Sequence, residues 1–170
     1  RFPAAVGYVE AAARTGEDGG LVRSQLGRTC PRPSAAWLEA TGRAGTPEPG
    51  WPATSDWAGG PDPDPDAAPR GRRAARDRGR FTRNFVVQAS AADWALVLLA
   101  AVRRRLAGGD AQLVFFQHDE VVVHCPRDQA ERVAAEVGEA AAESGRLVFG
   151  DTAVRFPLSV AVVDCYADAK

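Results

Sequence analysis

The stretch that decides the fold is Leu113-Val114-Phe115-Phe116-Gln117-His118-Asp119-Glu120-Val121-Val122-Val123-His124-Cys125. Residues 113–117 and 121–125 are rich in β-branched and aromatic side chains, which fit a pleated, half-buried surface. Only three polar residues separate them, too few for anything but a tight turn. The stretch therefore predicts a β-hairpin with His118-Asp119-Glu120 at its tip.

Working outward, residues 127–144 carry Ala130, Val133, Ala134, Val137 and Ala141 at helical spacing and predict an amphipathic helix. Before the hairpin, residues 89–107 predict a helix with Ala91, Leu98 and Val102 among its buried side chains, ended by Gly108-Gly109. Residues 70–83 are also helix-prone, and Phe156–Val163 predicts a last strand. Helices on one face of a small antiparallel sheet make an α+β fold.

The first part of the chain is less regular. Residues 3–14 predict a helix with Pro3 in its first turn and Val6, Val9 and Ala13 along one side. Gly16, Gly19 and Gly20 end it, and Leu21–Arg28 follows as a short strand and turn. From Pro31 to Pro69 the composition shifts to Pro, Gly, Asp and Trp, ending in Pro-Asp-Pro-Asp-Pro-Asp-Ala-Ala-Pro. Proline removes backbone donors and fixes φ, so this reads as a loop or linker, disordered around 59–69, with Trp37, Trp51 and Trp57 tacking parts of it down. The expected organisation is an N-terminal helix with its strand and turn over 1–31, a linker over 32–69, and an α+β segment over 70–170.

Composition narrows the function classes. A chain of 170 residues with 45% apolar content is long enough to bury a core. No uninterrupted apolar run approaches the ~18 residues that favour a membrane span, and Arg1-Phe2-Pro3 does not open a signal peptide. Three widely spaced cysteines (Cys30, Cys125, Cys165) suit a reducing compartment, so the expectation is a soluble, cytoplasmic protein with no membrane partner. The absence of methionine suggests a piece of a longer protein. Net charge is −1, yet Arg70, Arg72, Arg73, Arg76, Arg78, Arg80 and Arg83 crowd one segment with only Asp77 opposing them. Such a stretch meets phosphates or is simply a solvated face.

The chemistry sits in the hairpin tip. Two adjacent acids repel unless a cation or partner compensates them. Carboxylates held between two strands suit a hard cation such as Mg²⁺, which takes one or two carboxylates, waters and substrate phosphates. A solvated acidic turn is the plain alternative. Zinc is disfavoured, because His118, His124, Cys125 and Cys30 show no CxxC or HxxxH spacing.

Four segments resemble family A (bacterial DNA polymerase I type) DNA polymerases. Phe116-Gln117-His118-Asp119-Glu120-Val121-Val122 is similar to motif C, usually Gln-Val-His-Asp-Glu-Leu-Val. Arg80-x-x-x-Asn84-x-x-x-Gln88-x-x-Ala91-Ala92-Asp93 resembles the family helix Arg-x-x-x-Asn-x-x-x-Gln-Gly-Thr-Ala-Ala-Asp. Arg1-Phe2-Pro3…Tyr8 with Gln25-Leu26-Gly27-Arg28 is similar to a Tyr-Pro…Tyr helix and a Thr-Leu-x-Gly-Arg turn. Pro157-Leu158…Asp164-x-Tyr166-x-x-Ala169-Lys170 resembles the final strand and tail. The order agrees along the chain except at the 32–69 insert. Phe116 and Gln117 stand where the motif has Gln and Val, and Ala89-Ser90 replaces Gly-Thr.

The resemblance implies a C-terminal palm segment of a DNA-directed DNA polymerase. It implies that Asp119 is a ligand of the catalytic Mg²⁺ ions, with Glu120 supporting and His118 against the primer terminus. A two-metal site would be completed by a motif A Asp upstream of Arg1, where the nucleotide-binding fingers would also lie, so the chain alone would be inactive. Arg80, Asn84, Gln88 and Arg28 would contact primer-template DNA, and deoxynucleoside triphosphates would be the substrates. At i, i+4, i+8 the first three share a stripe if the helix continues through Gln88. Donors there would meet minor-groove acceptors common to all correct pairs. An ordinary polar helix face and a degenerate, non-catalytic DNA-binding paralogue remain alternatives.

Overall fold

The structure, a computed structural model, describes residues 2–44 and 66–169. Among the described residues, four α-helices run over Pro3–Glu17 (α1), Ala35–Ala40 (α2), Ala67–Leu106 (α3) and Ala130–Phe149 (α4). Two strands, Gln112–Gln117 (β1) and Glu120–His124 (β2), pair antiparallel. The class is α+β, mostly helical with one small sheet. By contacts the chain divides into Arg1–Gln88 and Ala89–Lys170, with the boundary inside α3.

In the first unit α1 lies close against α3. Pro3 fits the first turn of α1, where its missing N–H has no intrahelical partner anyway. Gly16 and Gly79 let the backbones approach. A Cβ at Gly16 would collide with the Thr82 side chain and lie 2.9 Å from the Arg78 carbonyl; one at Gly79 would lie 3.0 Å from the Ala13 carbonyl. The fully buried Thr82 hydroxyl donates to the Ala12 carbonyl at 2.8 Å, satisfying a group that burial would otherwise penalise. Ala12, Val22, Cys30 and Val86 form a small apolar cluster, with Val9 and Phe85 packed on it. The expected strand at 21–28 reduces to one bridge, Arg23 to Thr29, around a turn. With only one bridged pair there is no ladder for a strand to extend along.

Two expectations for this region are corrected. Residues 35–40 form a helix inside the segment read as loop. The run Ala-Ala-Trp-Leu-Glu-Ala contains no proline, and Ser34 caps it by accepting from the Trp37 N–H at 3.2 Å. Trp37 then anchors α2, its indole N–H donating to the Ala74 carbonyl at 2.9 Å. The expected attachments through Trp51 and Trp57, and the disorder expected for most of 59–69, lie outside the described residues. Second, the helices read separately over 70–83 and 89–107 are one helix of 40 residues, starting already at Ala67. The joining residues Asn-Phe-Val-Val-Gln hold no glycine or proline, and their weaker propensity costs about 0.7 kcal/mol or less each. Burial of Val86 offsets that cost.

The second unit is built on an apolar cluster. Leu98, Ala101, Val102 and Leu106 of α3 meet Val133, Ala140 and Ala141 of α4, together with Ala111. Leu113, Val121 and Val123 of the hairpin pack on the same cluster, so one sheet face is covered by helices. Burying a side chain of Val or Leu size contributes about 1.5–3 kcal/mol, so this cluster outweighs the surface pairs around it. Gly108, at φ 80°, takes the left-handed position that ends α3 and turns the chain toward β1. The α3 segment 68–106 is, by length and composition, apolar enough to cross a membrane, which the uninterrupted-run reading missed. Part of its apolar surface is what forms this cluster.

The strand expected at Phe156–Val163 is absent. Among the described residues the sheet has two strands, and 156–163 carries no regular structure. A strand needs a neighbouring ladder, and this segment instead spends its anchors on helices. Phe156 stacks on Phe149 at 4.8 Å between centroids and also contacts Trp94, while Leu158 packs on the core. Val160, Val162 and Val163 are left exposed.

Polar contacts tie α3 to α4 at the edge of this core. Arg105 reaches Glu136 at 2.8 Å and Glu143 at 3.1 Å, and Arg104 also pairs with Glu143. Hydrogen bonds from Arg104 and then Arg105 hold the Glu143 carboxyl below its ordinary range.

Substituting Gly16 by Ala is expected to destabilise the chain by about 1–3 kcal/mol in urea unfolding, because the added methyl has no room. Gly7→Ala in the same helix, where nothing lies within 4 Å, should instead stabilise by about 0.5–1 kcal/mol. Equal effects at both positions would refute the close crossing. Glu143 is a depressed acid, so its contribution is present above the ordinary carboxylate range and is lost as pH falls through its lowered folded value. The melting-temperature gap between wild type and Glu143→Gln should therefore be widest near neutral pH and shrink on acidification; a gap unchanged down to pH 2 contradicts the pairing.

Candidate metal site and nucleic-acid interface

The hairpin is closed by two residues. Gln117 pairs with Glu120, leaving His118 and Asp119 as the turn, and Phe116 pairs with Val121. Glu120, expected in the turn, is instead the first residue of β2. Two-residue turns match the strand twist only with positive φ at a central residue, which normally selects glycine or asparagine. Here His118 takes φ 53°, the one described non-glycine residue with positive φ. The left-handed region costs an L-residue roughly 1–2 kcal/mol, so the tip holds strained backbone.

The register also separates the two acids. A bulge between Leu113 and Phe115 resets the alternation of β1. Val121 and Val123 face the core, so Glu120 and Val122 lie on the opposite, outer face. Phe115 is opposite Val122. On that outer face Tyr166 contacts Phe115, with centroids 6.3 Å apart, and its hydroxyl donates to Glu120 Oε2. The hydrogen bond from Tyr166 to Glu120, then burial and the nearby negative charge, push the Tyr166 phenol above its ordinary value. Asp119 is exposed at the tip, with no hydrogen-bond or ion-pair partner among the described residues.

Asp119 and Glu120 offer hard oxygens of the kind Mg²⁺ takes, and one or two protein carboxylates are its usual share. The donor chemistry fits. Among the described residues no group of three His, Cys, Asp or Glu side chains gathers around an ion position, so two carboxylates are the most this tip supplies. The same finding leaves His118, His124, Cys125 and Cys30 without a zinc arrangement. Cys30 is buried in the first unit, where its sulfur accepts from the Val22 N–H at 3.3 Å.

The continuity of α3 brings Arg80, Asn84 and Gln88 onto one exposed stripe, about 12 Å from end to end at 1.5 Å per residue. Arg80 pairs with Asp77 one turn back. The arginine run is divided in its duties. Arg78 donates to the Pro31 carbonyl at 2.6 Å and lies over the Phe81 ring, so it ties the loop to the helix. Arg83 reaches Glu10 of α1 at 3.4 Å, and Arg70 and Arg73 pair with Asp66 and Asp77. Arg72 and Arg76 are exposed and continue the Arg80 stripe toward the helix start. Arg28 is exposed in the turn whose backbone is closed by Ser24, its N–H donating to the Ser24 hydroxyl at 2.9 Å. The stripe and Arg28 belong to the first unit and the hairpin tip to the second.

Residue patterns missed two features here. Tyr166 was legible only as part of a tail, because nothing local signals that it reaches a residue 46 positions away. The ion pair between Arg127 and Asp164 joins the same tail to the start of the α4 region. No family model matches this chain, and no curated protein or solved structure matches it either.

If His118 is strained, His118→Gly should raise the stability of the chain by about 0.5–1 kcal/mol in urea unfolding, since glycine takes positive φ freely at some entropic cost. A loss of stability would show that the imidazole makes interactions outweighing its backbone conformation.

Proposed function

We propose that this chain is a palm segment of a DNA-directed DNA polymerase, acting in Mg²⁺-dependent, template-directed nucleotidyl transfer in DNA replication or repair. The observation that carries the reading is the hairpin tip. A short, strained turn sets an unpaired Asp119 in solvent between two strands, within a sequence resembling motif C. The two-residue turn needs positive φ, and filling it with His-Asp in place of the usual Asn-Gly accepts strain that a functional role for these side chains would justify.

On this reading Asp119 is the metal-binding carboxylate, Glu120 supports it, and His118 lies against the primer terminus. Mg²⁺, when bound with a second carboxylate from motif A, would neutralise charge on the attacking and leaving oxygens. Asp119 would fix the ion's position, and the strands would keep that carboxylate from wandering. Arg80, Asn84 and Gln88 would present donors to the primer-template duplex, Arg28 would add a DNA contact, and deoxynucleoside triphosphates would be the substrates. Arg72 and Arg76 are the arginines best exposed for phosphates. The centre would be completed by the polymerase chain N-terminal to Arg1, so these residues alone would not catalyse. The setting that follows is cytoplasmic, with the nucleoid and without a membrane.

The test uses the parent polymerase. Asp119→Asn should lower nucleotide incorporation on the order of 10³-fold or more, since the metal supplies several kcal/mol and each ~1.4 kcal/mol is tenfold. Duplex affinity should stay close to parental, because arginine contacts to phosphate supply most of it. Glu120→Gln should cost less than Asp119→Asn. Incorporation above about a tenth of the parental rate in Asp119→Asn would overturn the metal assignment. A parent that binds DNA yet never incorporates nucleotide would favour the non-catalytic paralogue.

A further inference from the structure

We propose that Tyr166 is a positioning residue: its phenol reserves one carboxylate oxygen of Glu120, so that Asp119 alone presents a free carboxylate at the hairpin tip to a divalent cation. The inference rests on the metal reading above and assigns the two acids different duties.

Three contacts carry it. Glu120 opens β2 on the outer face of the hairpin, where the Tyr166 hydroxyl donates to its Oε2. The Tyr166 ring is set by its contact with Phe115, which stands on the same face opposite Val122. The tail bearing Tyr166 is tied down again by the ion pair from Arg127 to Asp164, two residues before the tyrosine. A hydrogen bond to an ionised acceptor is stronger than a neutral one, so the phenol competes effectively for that oxygen. A cation approaching the tip would have to displace the phenol to gain Glu120 Oε2. It displaces no protein group to reach Asp119, which has no partner among the described residues. Two adjacent acids thus become one open ligand and one held carboxylate that keeps its charge nearby.

Mn²⁺ titration of the 170-residue chain, read by paramagnetic broadening of the amide signals of residues 117–121, tests this without any activity. Four proteins are compared: wild type, Tyr166→Phe, Glu120→Gln and the double variant. Tyr166→Phe keeps the ring against Phe115 and removes only the hydroxyl. With Glu120 released to join Asp119, its apparent Mn²⁺ dissociation constant should fall by about threefold or more, the size of one modest hydrogen bond. In the Glu120→Gln background the same substitution should change nothing. Broadening that is present but indifferent to Tyr166→Phe overturns the role of Tyr166, as does an equal effect in the Glu120→Gln background. Phe115→Leu, which loosens the ring but leaves the hydroxyl, gives a second route: it should tighten Mn²⁺ binding in the same direction, and weaker binding counts against the proposal. Broadening absent from every protein overturns the proposal that Asp119 is an open ligand in this chain, whereas the metal reading of the complete centre stands or falls on Asp119→Asn in the parent polymerase.

Discussion

Unbroken backbone hydrogen bonding from Ala67 to Leu106 is the constraint on which the rest depends. Within the first unit the helix provides the wall that α1 crosses at Gly16 and that Trp37 and Arg78 grip through hydrogen bonds. Within the second it provides Leu98, Ala101, Val102 and Leu106, without which α4 and the hairpin would have no shared apolar surface. The Arg80, Asn84 and Gln88 stripe exists because the helix is unbroken.

The hairpin obeys a different logic. Its inner face is held by hydrophobic burial, which is non-directional and tolerant. Its tip is held by geometry, since a two-residue turn leaves no freedom in where His118 and Asp119 sit. The outer face is secured by the tail through Tyr166 and the Arg127 to Asp164 pair. Exposed ion pairs contribute little to stability, so the tail's contacts have more to do with orientation than with holding the fold. That division places rigid backbone beside an acid with no partner, the combination a carboxylate needs if it is to receive a cation without reorganising.

Much of this was legible in the residues. The hairpin, α1 and α4 follow from local alternation and helical spacing, whereas 80, 84 and 88 share a stripe because the helix runs on through residues read as a break between two helices. Other features were misjudged for identifiable reasons. Proline-rich surroundings masked the short Ser34-capped helix, where local capping overrides regional composition. Val160 to Val163 has strand-like residues but no ladder to join, and β-structure is a property of pairs rather than of segments.

What the sequence by itself determined is the set of local structures whose hydrogen bonds and apolar faces repeat over a few residues: α1, α4, the two hairpin strands and the acidic turn between them. Only the tertiary structure decided which acid is open and which is held. Glu120 and Tyr166 are 46 residues apart, and their meeting depends on strand register, on the bulge in β1 and on where the tail returns. Register is a property of two paired strands. Shifting it by one residue would turn Glu120 toward the core and Val121 outward, and no pattern along a single strand records that choice.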